Sequence, residues 1–600
     1  MTNLWIHPAL LFFLGAVLLP LIPERFRKGW LLLVPSFAFV RTIFMTSNEG
    51  IFGEIQFLEW TLTFGRVDKL SLVFGHIMGI IAILGTLYGL HVKRMVEHIA
   101  AWIYVGGSLG AIYAGDLITL FIFWELMALS SVFLIWFRGK NESLWAGYRY
   151  LLVHIAGGVV LLAGILLHYQ ATKSFEFIAF EVKQPTLATY LVMIGFILNA
   201  AVPPLHAWLP DAYSEATFNG SVFLCAFTTK TAVYALCRGL PGLEILVPLG
   251  VIMTLYGVVY AMLENDSRRL LGFSQITSIG YMIVGVGLAD LSTPFGQLAL
   301  NGACAYAFTH ILFKGLLFMG CGSVLHMTGE SRFTKLGSLY QRMPWTFLFT
   351  LIGALSLSAF PIFSGFASKA IIIDADFQSH HFLFGFGLML ASAGAFIGAL
   401  KILYFIWFSK NNCSTEVWNR AADPVWNMNA AMAITSILCI FVGSYTPYLY
   451  HLLPIQPFEY HPYTSYHISE TLEILFFTAF GFFLFHKKLT PTETINIDMD
   501  WFYRAGGQAF LRFARNRVQF ADNIVGEIYR VGGLIPLKLT AFYVGLFDNK
   551  VVDGIVDGVA GGVLGLGNRL RMVQRGALQE NLIISLSAVV MLIVVLLSFV

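Results

Sequence analysis

Charged side chains are scarce in this 600-residue chain: Asp, Glu, Lys and Arg together make up 12% of it, against roughly a quarter of an ordinary soluble domain. Hydrophobic residues make up 57%, and the mean hydropathy is +0.74. That balance excludes a string of soluble domains and leaves one large integral membrane protein. The formal net charge of +3 offers no basic face for a nucleic acid. Six cysteines are scattered along the chain and none forms CxxC, which argues against a disulfide framework, a zinc site or an iron–sulfur site. No haem motif or flavin fingerprint surrounds His154, His310 or any other histidine, so no cofactor and no metal are expected. The N-terminal MTNLWIHPALLFFLGAVLLPLIPERFRK lacks a basic stretch before its apolar run. It reads as a retained first span, not a signal peptide.

Long apolar runs take the place of charge. Stretches long enough to cross about 30 Å of hydrocarbon fall near 4–22, 29–46, 69–90, 98–114, 116–137, 145–169, 187–206, 219–239, 242–263, 268–289, 296–326, 345–376, 381–409, 427–447, 470–486 and 582–599. Positive loop charge alternates along them. Arg25, Arg27, Lys28, Lys93, Arg94, Arg138, Lys140, Arg268, Arg269, Arg332, Lys335, Arg342, Lys410, Arg420, Lys487 and Lys488 fall in loops on one side. By the positive-inside rule that side is cytoplasmic, and an even span count puts both termini outside.

Ionisable groups lie inside the runs. Glu125 is the sole charge in LITLFIFWELMALSSVFLIWF, and Lys230, Lys314 and Lys369 have similarly apolar surroundings. Each charge at a bilayer centre costs roughly 2.5–3.5 kcal/mol, and such a residue reads by default as part of an ion or proton path. Two spans are interrupted by proline: IGFILNAAVPPLHAWLP at Pro203 and Pro204, and IGALSLSAFPIFSGFASKAIII at Pro361. Freed carbonyls at membrane depth require protein or a wet cavity beside them. A matched pair of broken helices points to an inverted repeat with its pathway at mid-membrane. Lys230 in KTAVY and Lys401 in KILY strengthen the match. The expected organisation is N-terminal helices over 1–97, repeats over 98–239 and 242–409, further helices over 410–489, a lateral segment over 490–580 and a last helix over 581–600. In the lateral segment Leu511, Ala514, Val518, Ala521, Val525 and Ile528 form one apolar helical stripe, with Arg504, Arg512, Arg515 and Arg517 off it. Pro536 and the glycines from Gly554 to Gly567 are expected to interrupt or kink that helix.

The segments GDLITLFIFWELMALSS, PPLHAWLPDAYSEAT, TTKTAVYALCR, NDSRRLLGFSQITSIGYM, HILFKGLLFMGCGSVLH and SLSAFPIFSGFASKAII carry a specific resemblance. Over about residues 65–410 the chain resembles the antiporter-like subunits shared by respiratory complex I and Mrp-type multisubunit cation/proton antiporters. The stretch VDGIVDGVAGGVLGLGNRLRMVQRGALQEN before the last span resembles the tail of the largest complex I subunit of this group. DMDWFYR, starting at Asp498, is closer to Mrp-type D subunits. The resemblance implies an all-α polytopic fold of about 16 transmembrane helices, two inverted five-helix repeats with broken helices, and a C-terminal lateral amphipathic helix. It implies that Glu125, Lys230, His310, Lys314 and Lys369 form the ion-handling set. Asn199 stands where the family usually has a lysine, and asparagine takes up no proton. Glu125 is then left to pair with Lys230 or to be helped by His154. His206 is expected to bond carbonyls freed by Pro203 and Pro204, with Pro361 and Lys401 in supporting positions. The implied function is proton, or Na+, translocation within a bacterial-type inner membrane beside other membrane subunits and lipid. A non-conducting scaffold and a subunit of an inorganic-carbon uptake system are the alternatives.

Overall fold

The computed structural model describes residues 5–46, 49–494, 498–573 and 576–598. The outer ends of the first and last expected spans, Leu4 and Phe599, lie outside them, as do 495–497 and 574–575 of the expected lateral segment. Two units are present, residues 1–500 and 501–600.

The first unit opens with α1 (Pro8–Leu18), α2 (Glu24–Met45) and a hairpin, β1 (Gly50–Phe57) and β2 (Trp60–Val67). Then come α3 (Lys69–Tyr88), α4 (Met95–Tyr113), α5 (Leu117–Trp136), α6 (Asn141–Thr172), α7 (Leu187–Asn199), α8 (Trp208–Glu215), α9 (Gly220–Ala226) and α10 (Thr228–Gly239). After these run α11 (Leu246–Leu263), α12 (Ser267–Gly287), α13 (Pro294–Thr328), α14 (Pro344–Leu357), α15 (Phe366–Gln378) and α16 (Phe382–Ile402). The unit closes with α17 (Thr415–Arg420), α18 (Trp426–Ser444), α19 (Thr446–Leu452) and α20 (Ser465–Leu484). Fourteen described helices are long and apolar enough to cross a membrane, by length and composition. Each of the sixteen expected spans falls on a helix or a broken pair of helices. Three of them, at Pro8–Leu21, Leu187–Asn199 and Pro344–Leu357, are shorter apolar pieces.

The hairpin corrects the all-α expectation. Its strands pair from Gly50 with Val67 to Phe57 with Trp60. It is held by tertiary contacts: Thr63 N–H donates to Asp116 Oδ2 at 2.6 Å, and Gly115 N–H donates to the Thr63 carbonyl at 2.9 Å. A two-stranded ribbon alone is marginal in water, so its sequence carries only a weak strand signal.

Capping aspartates start two corresponding helices. Asp116 accepts from Thr119 N–H at the start of α5, and Asp266 accepts from Arg268 and Arg269 N–H at the start of α12. Each makes an antiparallel bridge to the chain beyond the next long helix, Asp116 to Glu176 and Asp266 to Arg332. The two broken helices are also built alike. α7 ends with Ala201 at φ +60° and a Val202 N–H to Ile197 carbonyl bond; α14 ends with Ala359 at φ +56° and a Phe360 N–H to Leu355 carbonyl bond. Left-handed alanine costs roughly 1–2 kcal/mol, so both breaks are imposed by the surrounding packing.

The second unit contains α21 (Asp500–Phe513), α22 (Gln519–Tyr529), α23 (Ile535–Phe547), α24 (Asp553–Val573) and α25 (Leu578–Leu597). The first four are joined through three wider, π-type turns into one helical run. This overturns the expected interruptions. Pro536 sits in the first turn of α23, after the π-type turn Arg530–Leu534, where a missing N–H does least harm. The helix also runs on through Gly554–Gly567. A glycine penalty of about 1 kcal/mol is smaller than the several kcal/mol of an unpaired backbone group in apolar surroundings.

α11 and α12 meet through two glycines: a Cβ on Gly280 would lie 2.6 Å from the Gly250 carbonyl oxygen, and one on Gly250 would lie 2.7 Å from that of Gly280. Gly280→Val is expected to separate these helices, cost about 1–3 kcal/mol and lower the unfolding midpoint of the purified protein in detergent. Gly481→Ala, with open space around it, should leave the midpoint unchanged. Equal midpoints for both variants would refute the close contact.

Candidate functional site

The sequence-predicted lysines converge on α10, α12, α13 and α15. The chain between α9 and α10 breaks at Phe227, so Thr228 N–H donates to Tyr104 Oη at 2.8 Å in place of a helical carbonyl. Lys230 Nζ folds back onto this break, donating to the Cys225 carbonyl at 2.7 Å and to Thr229 Oγ1 at 3.2 Å. Gln275 Nε2 of α12 donates to the same two acceptors, at 2.8 and 3.1 Å. Its neighbour Ser274 accepts from Lys314 Nζ at 2.5 Å. Two consecutive residues of α12 thus stand at the sites of two lysines.

From Lys314 the polar file continues along α13. His310 lies one turn earlier, with both ring nitrogens buried and without a protein partner. Next to it, Thr309 Oγ1 meets Ser368 Oγ of α15 at 2.7 Å. Lys369 follows Ser368 and donates to Ser392 Oγ of α16 at 2.7 Å, with its ammonium 4.8 Å above the Tyr281 ring. Lys230, His310 and Lys314 are wholly inaccessible and Lys369 is 2% exposed. Beside Lys369 and Ser392 a cavity of about 440 Å³ opens between α15, α16 and α20, lined also by Asp374, His467 and Glu470.

Glu125 stands apart from this file. The structure overturns its expected pairing with Lys230, whose amine is occupied at the α9–α10 break. Among the described residues no cation pairs with Glu125, and its Oε1 is buried without a hydrogen bond. It lies over Gly158 of α6, where a Cβ would come within 1.9 Å of that oxygen. His154 does not reach it either: its Nδ1 meets the Tyr150 carbonyl at 2.8 Å and its ring stacks on Tyr150. Asn199 is fully buried with both amide atoms unpartnered.

The other supporting residues also take definite places. Pro204 and Pro361 lie in the two breaks. Lys401 donates to the Met262 and Glu264 carbonyls, both at 2.6 Å, and so caps the end of α11. The expectation for His206 fails. Trp208 Nε1 takes the freed Leu198 carbonyl at 3.0 Å, and His206 Nε2 lies 3.2 Å from Asp498 Oδ1. Tyr256 Oη donates to the same Asp498 oxygen.

Sequence reasoning missed Asp498, Tyr256, Ser274 and Gln275, and also Asp376, whose carboxylate is fully buried with both oxygens unpartnered. A signal for Gln275 existed. It stands nine residues after capping Asp266, as Glu125 stands nine after Asp116. In the same register His154 precedes Gly158 as His310 precedes Lys314. One half keeps the acid over a glycine, and the other keeps the base near an amide.

Comparison with known proteins fits this arrangement. Residues 114–398 match the family model described as the membrane part of NADH:quinone oxidoreductase and Mrp antiporters. The chain belongs to the antiporter-like subunit family of these complexes. This family member is 30% identical over 407 residues to a Na(+)/H(+) antiporter subunit from Alkalihalophilus pseudofirmus, a match covering 60% of this chain and 50% of that one. The chain spans about half the length of the curated antiporter relatives it matches. Its fold resembles a chain of the Mrp complex from Dietzia sp. DQ12-45-1b, with a TM-score of 0.66 and 20% identity over 79% of this chain and 97% of that one. It also resembles a chain of the membrane-bound sulfane sulfur reductase, an archaeal respiratory membrane complex, with a TM-score of 0.68 and 22% identity over 98% and 99%.

Ser274 is the hydroxyl that holds the Lys314 amine. Ser274→Ala is expected to leave that amine short of an acceptor and to destabilise the protein by about 1–3 kcal/mol, read as a lower unfolding midpoint in detergent. A midpoint equal to the parent's would show that Ser274 does not hold Lys314.

Proposed function

We propose that this antiporter-like subunit moves protons through its interior as one member of a multisubunit membrane complex. The observation that carries this reading is the buried file Lys230, Gln275, Ser274, Lys314, His310, Thr309, Ser368 and Lys369, whose amines are each held by neutral hydroxyls or carbonyls. An amine held by neutral acceptors carries no fixed counter-charge, and lysine, unlike arginine, loses its proton readily when buried. His310 offers two ring nitrogens between Lys314 and the Thr309–Ser368 contact, and imidazole passes protons between such neighbours. The cavity beside Lys369, with Asp374, His467 and Glu470 on its wall, supplies a wet outlet.

Na+ is the exchanged partner ion in this reading, as the name of the Alkalihalophilus relative indicates for that protein. The two broken helices form the centres of two repeats, 98–239 and 242–409. The alternation of loop charge sets the cytoplasmic side in a bacterial-type inner membrane, with both termini outside. The 490–580 segment lies along neighbouring subunits, because its apolar side chains such as Leu511, Val518 and Ile528 are exposed. The unpaired Glu125 and the neutral Asn199 favour a second reading, in which the half containing them is a scaffold and conduction belongs to the half with Lys314 and Lys369.

Lys314→Ala and Lys369→Ala are each expected to abolish cation/proton exchange in everted membrane vesicles while the complex still assembles. Lys401→Met, which removes a helix-capping amine outside the file, should retain exchange. Full exchange in the Lys314 and Lys369 variants would remove the relay, and Glu125→Gln separates the two readings: loss of exchange favours conduction through both halves, and retention favours the scaffold.

A further inference from the structure

The first break carries an acid–base pair that the relay does not use. Asp498 belongs to the segment leading into the long helical run, yet it is only 4% exposed, and His206 of the first break is wholly buried. One carboxylate oxygen, Oδ1, faces His206 Nε2 at 3.2 Å, receives the Tyr256 hydroxyl, and accepts from Met499 N–H at 2.5 Å. The Tyr256 ring meets the imidazole edge-on at 4.6 Å and stacks on Tyr260 at 4.5 Å. Phe273 of α12 lies behind, 6.5 Å from the imidazole, with the Arg269 guanidinium 5.8 Å over its ring. The ionisable groups around the pair are therefore Tyr256 and Tyr260 of α11 and, beyond Phe273, Arg269 of α12. Arg269 is itself paired with Glu264 and Asp211.

The geometry sets the chemistry of each atom. A carboxylate oxygen accepts, so His206 Nε2 carries a hydrogen and donates it. That leaves Nδ1 as the basic nitrogen, and Nδ1 is buried with no protein partner, as is Asp498 Oδ2. Each partner thus has one occupied valence that fixes the pair and one open valence that can take a proton. This is the arrangement missing elsewhere in that half, where Glu125 faces a glycine and Asn199 cannot titrate.

We propose that Asp498 and His206 form the carboxylate–base pair of the first half. His206 Nδ1 holds the proton, and Asp498 acts as the positioning residue that stabilises the charged imidazole. Moving the segment that carries Asp498 would withdraw the counter-charge and release the proton, so this connection is a control point for the first broken helix. The pair's role rests on the proton-moving function proposed above.

The test uses the full chain in its assembled complex, with exchange measured in everted vesicles across neutral and alkaline pH. Asp498→Asn and His206→Gln should each reduce exchange roughly tenfold or more, and the double variant should be no worse than the poorer single one, because both changes break the same pair. Single variants with parental exchange, or losses that multiply in the double variant, would overturn the pair. Should Asp498→Asn reduce assembly, Tyr256→Phe decides. It keeps the ring and removes one donor to the carboxylate, so the pH profile of exchange per assembled complex should move; a profile superimposable on the parent's overturns the proposal. Lys314→Ala separates the two ideas: if it conducts normally the relay itself fails, whereas loss there with unaffected Asp498 and His206 variants rejects this pair alone.

Discussion

Everything in the first unit depends on how bare amines are kept in an apolar interior. Burying an ammonium without a partner costs many kcal/mol, and among the described residues no carboxylate is paired with Lys230, Lys314 or Lys369. Their hydrogen bonds go to Cys225 and Thr229, to Ser274, and to Ser392. A carboxylate partner would lock the proton in place. A hydroxyl or carbonyl partner satisfies the amine in either protonation state, since a neutral amine still donates, and so leaves it free to exchange.

Broken helices provide much of that polarity. The interruption at Phe227 opens the Cys225 carbonyl to Lys230 and Gln275, and the break after Ala359 leads into the turn that presents Ser368 and Lys369. A continuous helix spends its carbonyls on its own N–H groups and offers a buried cation nothing. The same economy explains Lys401, whose amine takes carbonyls left over at the end of α11, and Arg268, whose guanidinium takes those of Tyr213, Ala216 and Thr217.

The two halves are built to one plan and wired differently. Capping aspartates, bridges, left-handed alanines and the His154 and His310 registers correspond. At the charged positions they diverge, with Glu125 over Gly158 in one and Gln275 next to the Ser274 that holds Lys314 in the other. Splitting acid from base between halves avoids a tight buried ion pair, whose desolvation cost often exceeds its Coulombic gain.

The run of apolar spans, the two proline breaks and the buried lysines were legible because each has a local cause: hydrophobic length, a missing backbone donor, a charge without polar neighbours in sequence. Glycines and Pro536 in the second unit misled because propensity is a weak prior beside backbone pairing. The hairpin at Gly50–Val67 went unread because its stability comes from Asp116 and Gly115, far from it in sequence. Composition and periodicity thus determined by themselves that the chain is a many-helix membrane protein with titratable groups inside. Only the tertiary structure decided which groups meet: that Lys230 turns to Cys225 and not to Glu125, and that His206 answers to Asp498 almost three hundred residues away. Spacing along a chain orders side chains on one helix, whereas a hydrogen bond between elements depends on packing that no single segment encodes.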